Sequence, residues 1–146
     1  MGSIFRYDTD LENILKKIIL RASSDISEYR TKIHSNEDFE QTNDIPFRKV
    51  YQDLLKANNY QNLISLLLHI DGINLSNSSK LKLWMLTGSV IELPPKLRSR
   101  RFNMVVLSIW IGYTIPPVKI WLASSMNRLQ SLKRKGKIRA YHTYKI

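Results

Sequence analysis

The 146-residue chain is 43% apolar, lacks cysteine and carries a formal net charge of +11. Its length suits one domain or two small ones, and the missing cysteine excludes disulfides, thiolate metal sites and cysteine nucleophiles. His34, His69 and His142 lie far apart without metal-ligand spacing, so neither a metal nor another cofactor is expected.

At the N-terminus, residues 1–20 carry early acids. They lack a continuous apolar core with a small-residue cleavage site, so no secretory signal is read. Met1-Gly2 raises N-myristoylation, although Arg6 stands where that motif wants Ser or Thr. Thr9 or Asp10 caps a predicted helix to about Arg21, with Leu11, Ile14, Leu15 and Ile18 on one face. Residues 35–46 form a polar loop. Pro46 opens a second helix with Phe47, Val50, Tyr51, Leu54 and Leu55 on one stripe, interrupted at Asn58-Asn59. The run Leu63, Ile64, Leu66, Leu67, Leu68 and Ile70 predicts an apolar helix ending at Asp71-Gly72.

The stretch GINLSNSSK, residues 72–80, is the boundary candidate, because turn residues coincide there with a charge reversal. Residues 1–79 hold nine Lys/Arg and eleven Asp/Glu, net −2. Residues 80–146 hold fourteen Lys/Arg and one acid, Glu92, net +13. A basic half almost free of acids points to a polyanionic partner, nucleic acid or anionic membrane. Three helices are predicted in it: about 79–92, stopping before Pro94-Pro95; about 98–112, stopping at Gly112; and one from Thr114 to about Lys135. Pro116 and Pro117 fall in the first turn of the last, where a missing N–H is harmless. The apolar stretch Asn103–Ile115 is too short to span a bilayer.

The fold class expected is therefore all-α. Residues 1–78 form a helical accessory or dimerisation region, residues 79–139 a three-helix helix-turn-helix unit, and residues 140–146 a tail. No repeat, phosphate-binding loop or catalytic acid pair is visible, so no enzyme is expected.

On the last helix, Val118, Trp121, Leu122, Ser125, Leu129 and Leu132 fall on one side as a core face, with Val118, Trp121 and Leu122 as its anchors. Ile120, Ala123, Ser124, Asn127 and Ser131 form a neighbouring face of small or uncharged side chains. Lys119, Arg128, Lys133, Arg134 and Lys135 flank it, followed by Lys137 and Arg139. That pattern suits base edges met by Ile120, Ala123, Ser124 and Asn127, with the cations on phosphates.

The stretch LSIWIGYTIPPVKIWL, Leu107–Leu122, resembles the second helix, turn and recognition helix of the homeodomain family. Leu107-Ser108, Ile111, Tyr113, Thr114 and Val118–Leu122 carry the match, and the Gly-x-Thr turn with its early proline is most similar to mating-type homeodomain repressors. The chain departs from the family in having Ser124 for the adenine-reading asparagine, Met126 for an arginine and Leu122 for phenylalanine. Pro94 and Pro95 also stand where the family is still finishing its first helix. The resemblance implies a nuclear transcription regulator that binds double-stranded DNA with helix 115–135 in the major groove. Its weak intrinsic readout implies a protein partner, a second homeodomain protein or a second copy. LKRKGKIR, Leu132–Arg139, could serve as a nuclear import signal or equally as a phosphate-binding extension.

Two other readings fit the residues. One is a peripheral membrane protein of the viral-matrix kind, bound to anionic lipid through the basic half. The other is an RNA-binding helical module, with Tyr141, His142 and Tyr144 available for stacking.

Overall fold

The computed structural model describes residues 3–5 (backbone only), 10–35, 43–59, 63–75 and 80–134. Leu11–Arg21 is the first helix, α1. Asp10 caps it by accepting the Asn13 N–H at 3.2 Å, and its period-3.6 stripe buries Leu11, Leu15 and Ile18. After the single residue Ala22, Ser23–Ser35 forms α2, burying Ile26 and Ile33. A 3-10 turn, Ile45–Phe47, leads into α3, Lys49–Ala57, which buries Tyr51 and Leu55.

The remainder departs from the all-α expectation: the fold is α+β. Three nine-residue strands, β2 (Leu66–Asn74), β3 (Lys82–Val90) and β4 (Met104–Gly112), form an antiparallel sheet. The three-residue β1 (Ser3–Phe5) pairs on its far edge, in the order β1-β4-β3-β2. Each of the helices expected at 63–71, 79–92 and 98–112 is thus largely strand. A short apolar run does not separate a buried strand from a helix by period. Val105, Val106, Ile109, Trp110 and Ile111 give β4 the β-branched and aromatic content that favours a pleated surface.

The 78/79 boundary lies in the connection of a hairpin. Leu66 pairs with Val90 and Asn74 with Lys82, and the Leu75 N–H donates to the Leu81 carbonyl at 3.0 Å. Between β4 and β3 the register slips at Leu86/Thr87, a bulge that bends the sheet. Gly72 sits close under the Trp84 ring: a Cβ there would lie 3.1 Å from it, so the ring would have to shift.

The last helix, α5 (Val118–Arg134), and α1 cover one face of the sheet. Leu15 and Ile18 share a core there with Leu86, Leu107, Trp110, Trp121 and Leu129. A smaller cluster, Ile33, Phe47, Tyr51, Leu55, Leu63 and Ile91, packs α2 and α3 beside the start of β2.

Two buried polar groups tie that cluster down. Glu92, 1% exposed, accepts the Tyr51 hydroxyl at 2.6 Å and the Ser65 N–H at 2.9 Å. Arg98 makes a bidentate bond to Asp44, both contacts at 2.7 Å, and also donates to the carbonyls of Ile91 and Leu93. Tyr29 donates to the same Asp44 carboxylate.

Candidate functional site

Helix α5 carries most of the residues expected to act, and the structure divides them. Trp121 and Leu122 are buried anchors, with Ser125, Leu129 and Leu132 on the same face. The Ser125 hydroxyl donates to the Leu107 carbonyl at 3.3 Å, pinning the helix to β4. Val118, expected in the core, is instead half exposed, because the helix begins later than expected. The Pro117 carbonyl accepts from Ile120 and Trp121, so Pro117 caps the helix and the two prolines precede it.

Ala123, Asn127 and Ser131 are exposed, as are Lys119, Lys133 and Arg134, whereas Ser124 and Arg128 are half-buried. Ile120 is 68% exposed. Lys135, Lys137, Arg139 and the 140–146 tail lie outside the described residues, as do Met1 and Gly2.

No helix-turn-helix is formed. Gly112 ends strand β4, and Tyr113–Pro117 connects that strand to α5. The stretch Leu107–Leu122 is therefore strand, loop and first helical turn. The element that would brace a recognition helix across a major groove is absent from its expected place.

What the structure assembles instead is one end of the sheet. The register puts Asn74, Lys82 and Gly112 side by side there, with Ser3 of β1 opposite Ile111. Ten large apolar side chains are exposed among the described residues, and six of them belong to this end: Ile73 and Leu75 from β2, Tyr113 and Ile115 from the connection, Val118 and Ile120 from α5. Ile115 is 70% exposed and Tyr113 62%.

Lys80, Lys82 and Lys119 are exposed at the same end. Among residues 80–134 the one acid is Glu92, buried beyond the far end of β3, roughly 30 Å away at the rise of an extended strand. The lysines there have no neutralising acid nearby in their own half. Apolar tips and cations are therefore gathered at one end of the sheet, with Ile73 on the face opposite α5 and Val118 and Ile120 on α5 itself.

Sequence reading missed Ile73, Leu75, Tyr113, Ile115, Lys80 and Lys82. With β2 and β3 taken as helices, GINLSNSSK looked like a linker, although it belongs to a hairpin connection. The signal available was the short apolar run Leu83–Leu86 directly after a cluster of turn residues.

Among the described residues, no group of three or more His, Asp or Glu could hold a metal ion, and no helix is long and apolar enough to cross a membrane. Comparison with protein-family models, with curated proteins and with solved structures finds no match.

Proposed function

We propose that the chain is a peripheral protein of anionic membrane surfaces, docking through the sheet end that carries Tyr113, Ile115, Val118 and Ile120. The observation that carries this reading is the coincidence of six exposed large apolar side chains with Lys80, Lys82 and Lys119. Lipid rewards both halves of that pattern. Burying one isoleucine is worth about 1.5–3 kcal/mol, and each lysine near an anionic leaflet adds about 1 kcal/mol. A nucleic acid backbone would use the lysines and leave the aliphatics in water.

A second reading keeps a nucleic-acid surface on the C-terminal half of α5. It is favoured by the exposure of Asn127, Lys133 and Arg134 on adjoining turns.

Co-sedimentation of the full chain with vesicles tests both. Binding is expected to phosphatidylserine-containing vesicles and not to pure phosphatidylcholine. Ile115→Ser with Ile120→Ser should weaken it by about tenfold or more, given the apolar contribution above. Displacement of the chain from those vesicles by equimolar duplex DNA or RNA, with sensitivity at Lys133 and Arg134 and none at Ile115, would replace the membrane reading with the second one.

A further inference from the structure

Strand β2 is the outer edge of the sheet, paired on one side only, with β3. In an antiparallel pair, alternate residues direct their N–H and C=O groups toward the partner strand. The Leu75 N–H donates to the Leu81 carbonyl and the Ile91 N–H to the Ser65 carbonyl, so the odd-numbered residues of β2 face β3. The even-numbered ones, Leu66, Leu68, Ile70, Gly72 and Asn74, turn their backbone groups outward. Among the described residues no strand pairs with them.

Nine residues make a long edge, and its far half is exposed from His69 to Asn74, with Ile70 44% and Ile73 47% accessible. Natural edges of this length are commonly blunted by proline, lysine or a bulge. β2 has no proline and no lysine, and its register with β3 is unbroken.

We infer that β2 is a dimerisation edge whose partner is β2 of a second copy of this chain, paired antiparallel about a two-fold axis at Ile70. Three features of the strand select that partner and that register. The axis must pass through an outward-facing residue or between two of them, and an axis at Ile70 is the one that sets His69 against Asp71. In that register Ile70 opposes Ile70 and Leu68 opposes Gly72 of the second copy, while Leu66, 1% exposed, is already covered by its own chain and takes no part. His69 then opposes Asp71 of the second copy and Asp71 opposes His69, twice in one interface. Both lie on the same face of the sheet, in non-hydrogen-bonded positions where side chains approach most closely.

An axis two residues along, at Gly72, sets Asp71 against Ile73 and His69 against Leu75, and so loses the pairing of His69 with Asp71. The intermediate axis at Asp71 sets two carboxylates against each other, which the low tolerance for like charges across a ladder disfavours.

In the isolated chain the Gly72 N–H, one of the outward donors, is held by the Asp71 carboxylate at 2.8 Å. Pairing transfers that N–H to the Leu68 carbonyl of the second copy and frees the carboxylate for His69. The product is a continuous eight-stranded sheet. The two readings use different surfaces, the strand edge and the strand ends, and because antiparallel pairing points the two docking ends in opposite directions, a dimer meets a membrane through one copy at a time.

The test is sedimentation velocity of the full chain over a concentration series, followed by variants on exposed positions. The wild type should form a dimer. Ile70→Pro removes an outward N–H and no bond to β3, a position an edge strand tolerates, and should leave a folded monomer. His69→Glu sets it against Asp71 and should weaken the dimer about tenfold. His69→Glu combined with Asp71→Lys should restore it.

The chain has no cysteine, so Ile70→Cys introduces a single thiol on the axis, facing its own copy at a separation a disulfide can bridge. It should cross-link under mild oxidation, whereas Asn74→Cys, roughly 27 Å from its copy in this register, should not. A wild type that stays monomeric at every concentration overturns the inference. So does a dimer indifferent to Ile70→Pro, a charge swap that fails to rescue, or cross-linking at 74 in place of 70.

Discussion

The Tyr51 hydroxyl donates to the Glu92 carboxylate at 2.6 Å, joining α3 to the segment after β3 in the interior. Burial pushes the Glu92 carboxyl above the usual carboxylate range, against the opposing pull of the Ser65 N–H and the Tyr51 hydroxyl. A raised folded-state value means that the folded chain binds the extra proton. The contribution of Glu92 is therefore fully present at and below the unfolded glutamate value of about 4.3, and is lost as pH rises through the folded value.

Tyr51→Phe removes one donor from the buried carboxylate. It should cost about 1–3 kcal/mol at pH 7.5, the penalty for an unsatisfied buried group. At pH 5 the cost should be smaller, because the protonated carboxyl needs that donor less. Urea unfolding at the two pH values measures both numbers.

Asp44 titrates in the opposite sense. Burial alone would raise its carboxyl, but the hydrogen bonds from Arg98 and Tyr29, with the Arg98 charge, outweigh burial and hold it below the usual range. The pair's contribution is present above the unfolded aspartate value of about 3.9 and is lost as pH falls through the lower folded value. Arg98→Met leaves Asp44 buried with the Tyr29 hydroxyl but without its cation, and leaves the carbonyls of Ile91 and Leu93 without the guanidinium donor. It should cost about 3–5 kcal/mol at neutral pH, and the difference from wild type should shrink below pH 3 in a denaturant titration.

The helices were legible where polar residues punctuate the apolar ones. Asp10 before Leu11, Leu15 and Ile18 marks α1, and Trp121, Leu122, Ser125, Leu129 and Leu132 mark the buried face of α5. The strands were hidden because nearly every residue from Leu63 to Ile70 and from Met104 to Ile111 is apolar, which satisfies a period of 3.6 as readily as a period of 2. The homeodomain-like stretch fell into the same trap, since Leu107 and Ile111 are four apart yet sit on β4. Of the candidate site only Lys119 and Ile120 were legible, on the side of α5 that the helical period leaves outside the core. That Tyr113 and Ile115 are exposed follows from their place in the connection beyond the end of β4, a tertiary fact with no local signature.

Adjacent residues on α5 should separate stability from binding. Trp121 is 2% exposed within the main core, and Trp121→Ala should destabilise by about 3–5 kcal/mol. Ile120→Ala should change stability by no more than about 0.5 kcal/mol, while weakening vesicle binding several-fold. Thermal unfolding and vesicle co-sedimentation on the same two preparations give the comparison.

The membrane reading is tested most directly by depth. Single cysteines replacing Ile115, Ile120 and Lys56 in the cysteine-free chain each accept one environment-sensitive fluorophore. Lys56 lies on α3, which packs beside the start of β2, away from the end at Asn74. On phosphatidylserine-containing vesicles, probes at 115 and 120 should shift to the blue and be quenched by lipids labelled in their acyl chains, while the probe at 56 stays in water. Vesicle-bound protein whose probes at 115 and 120 remain in water would contradict the account.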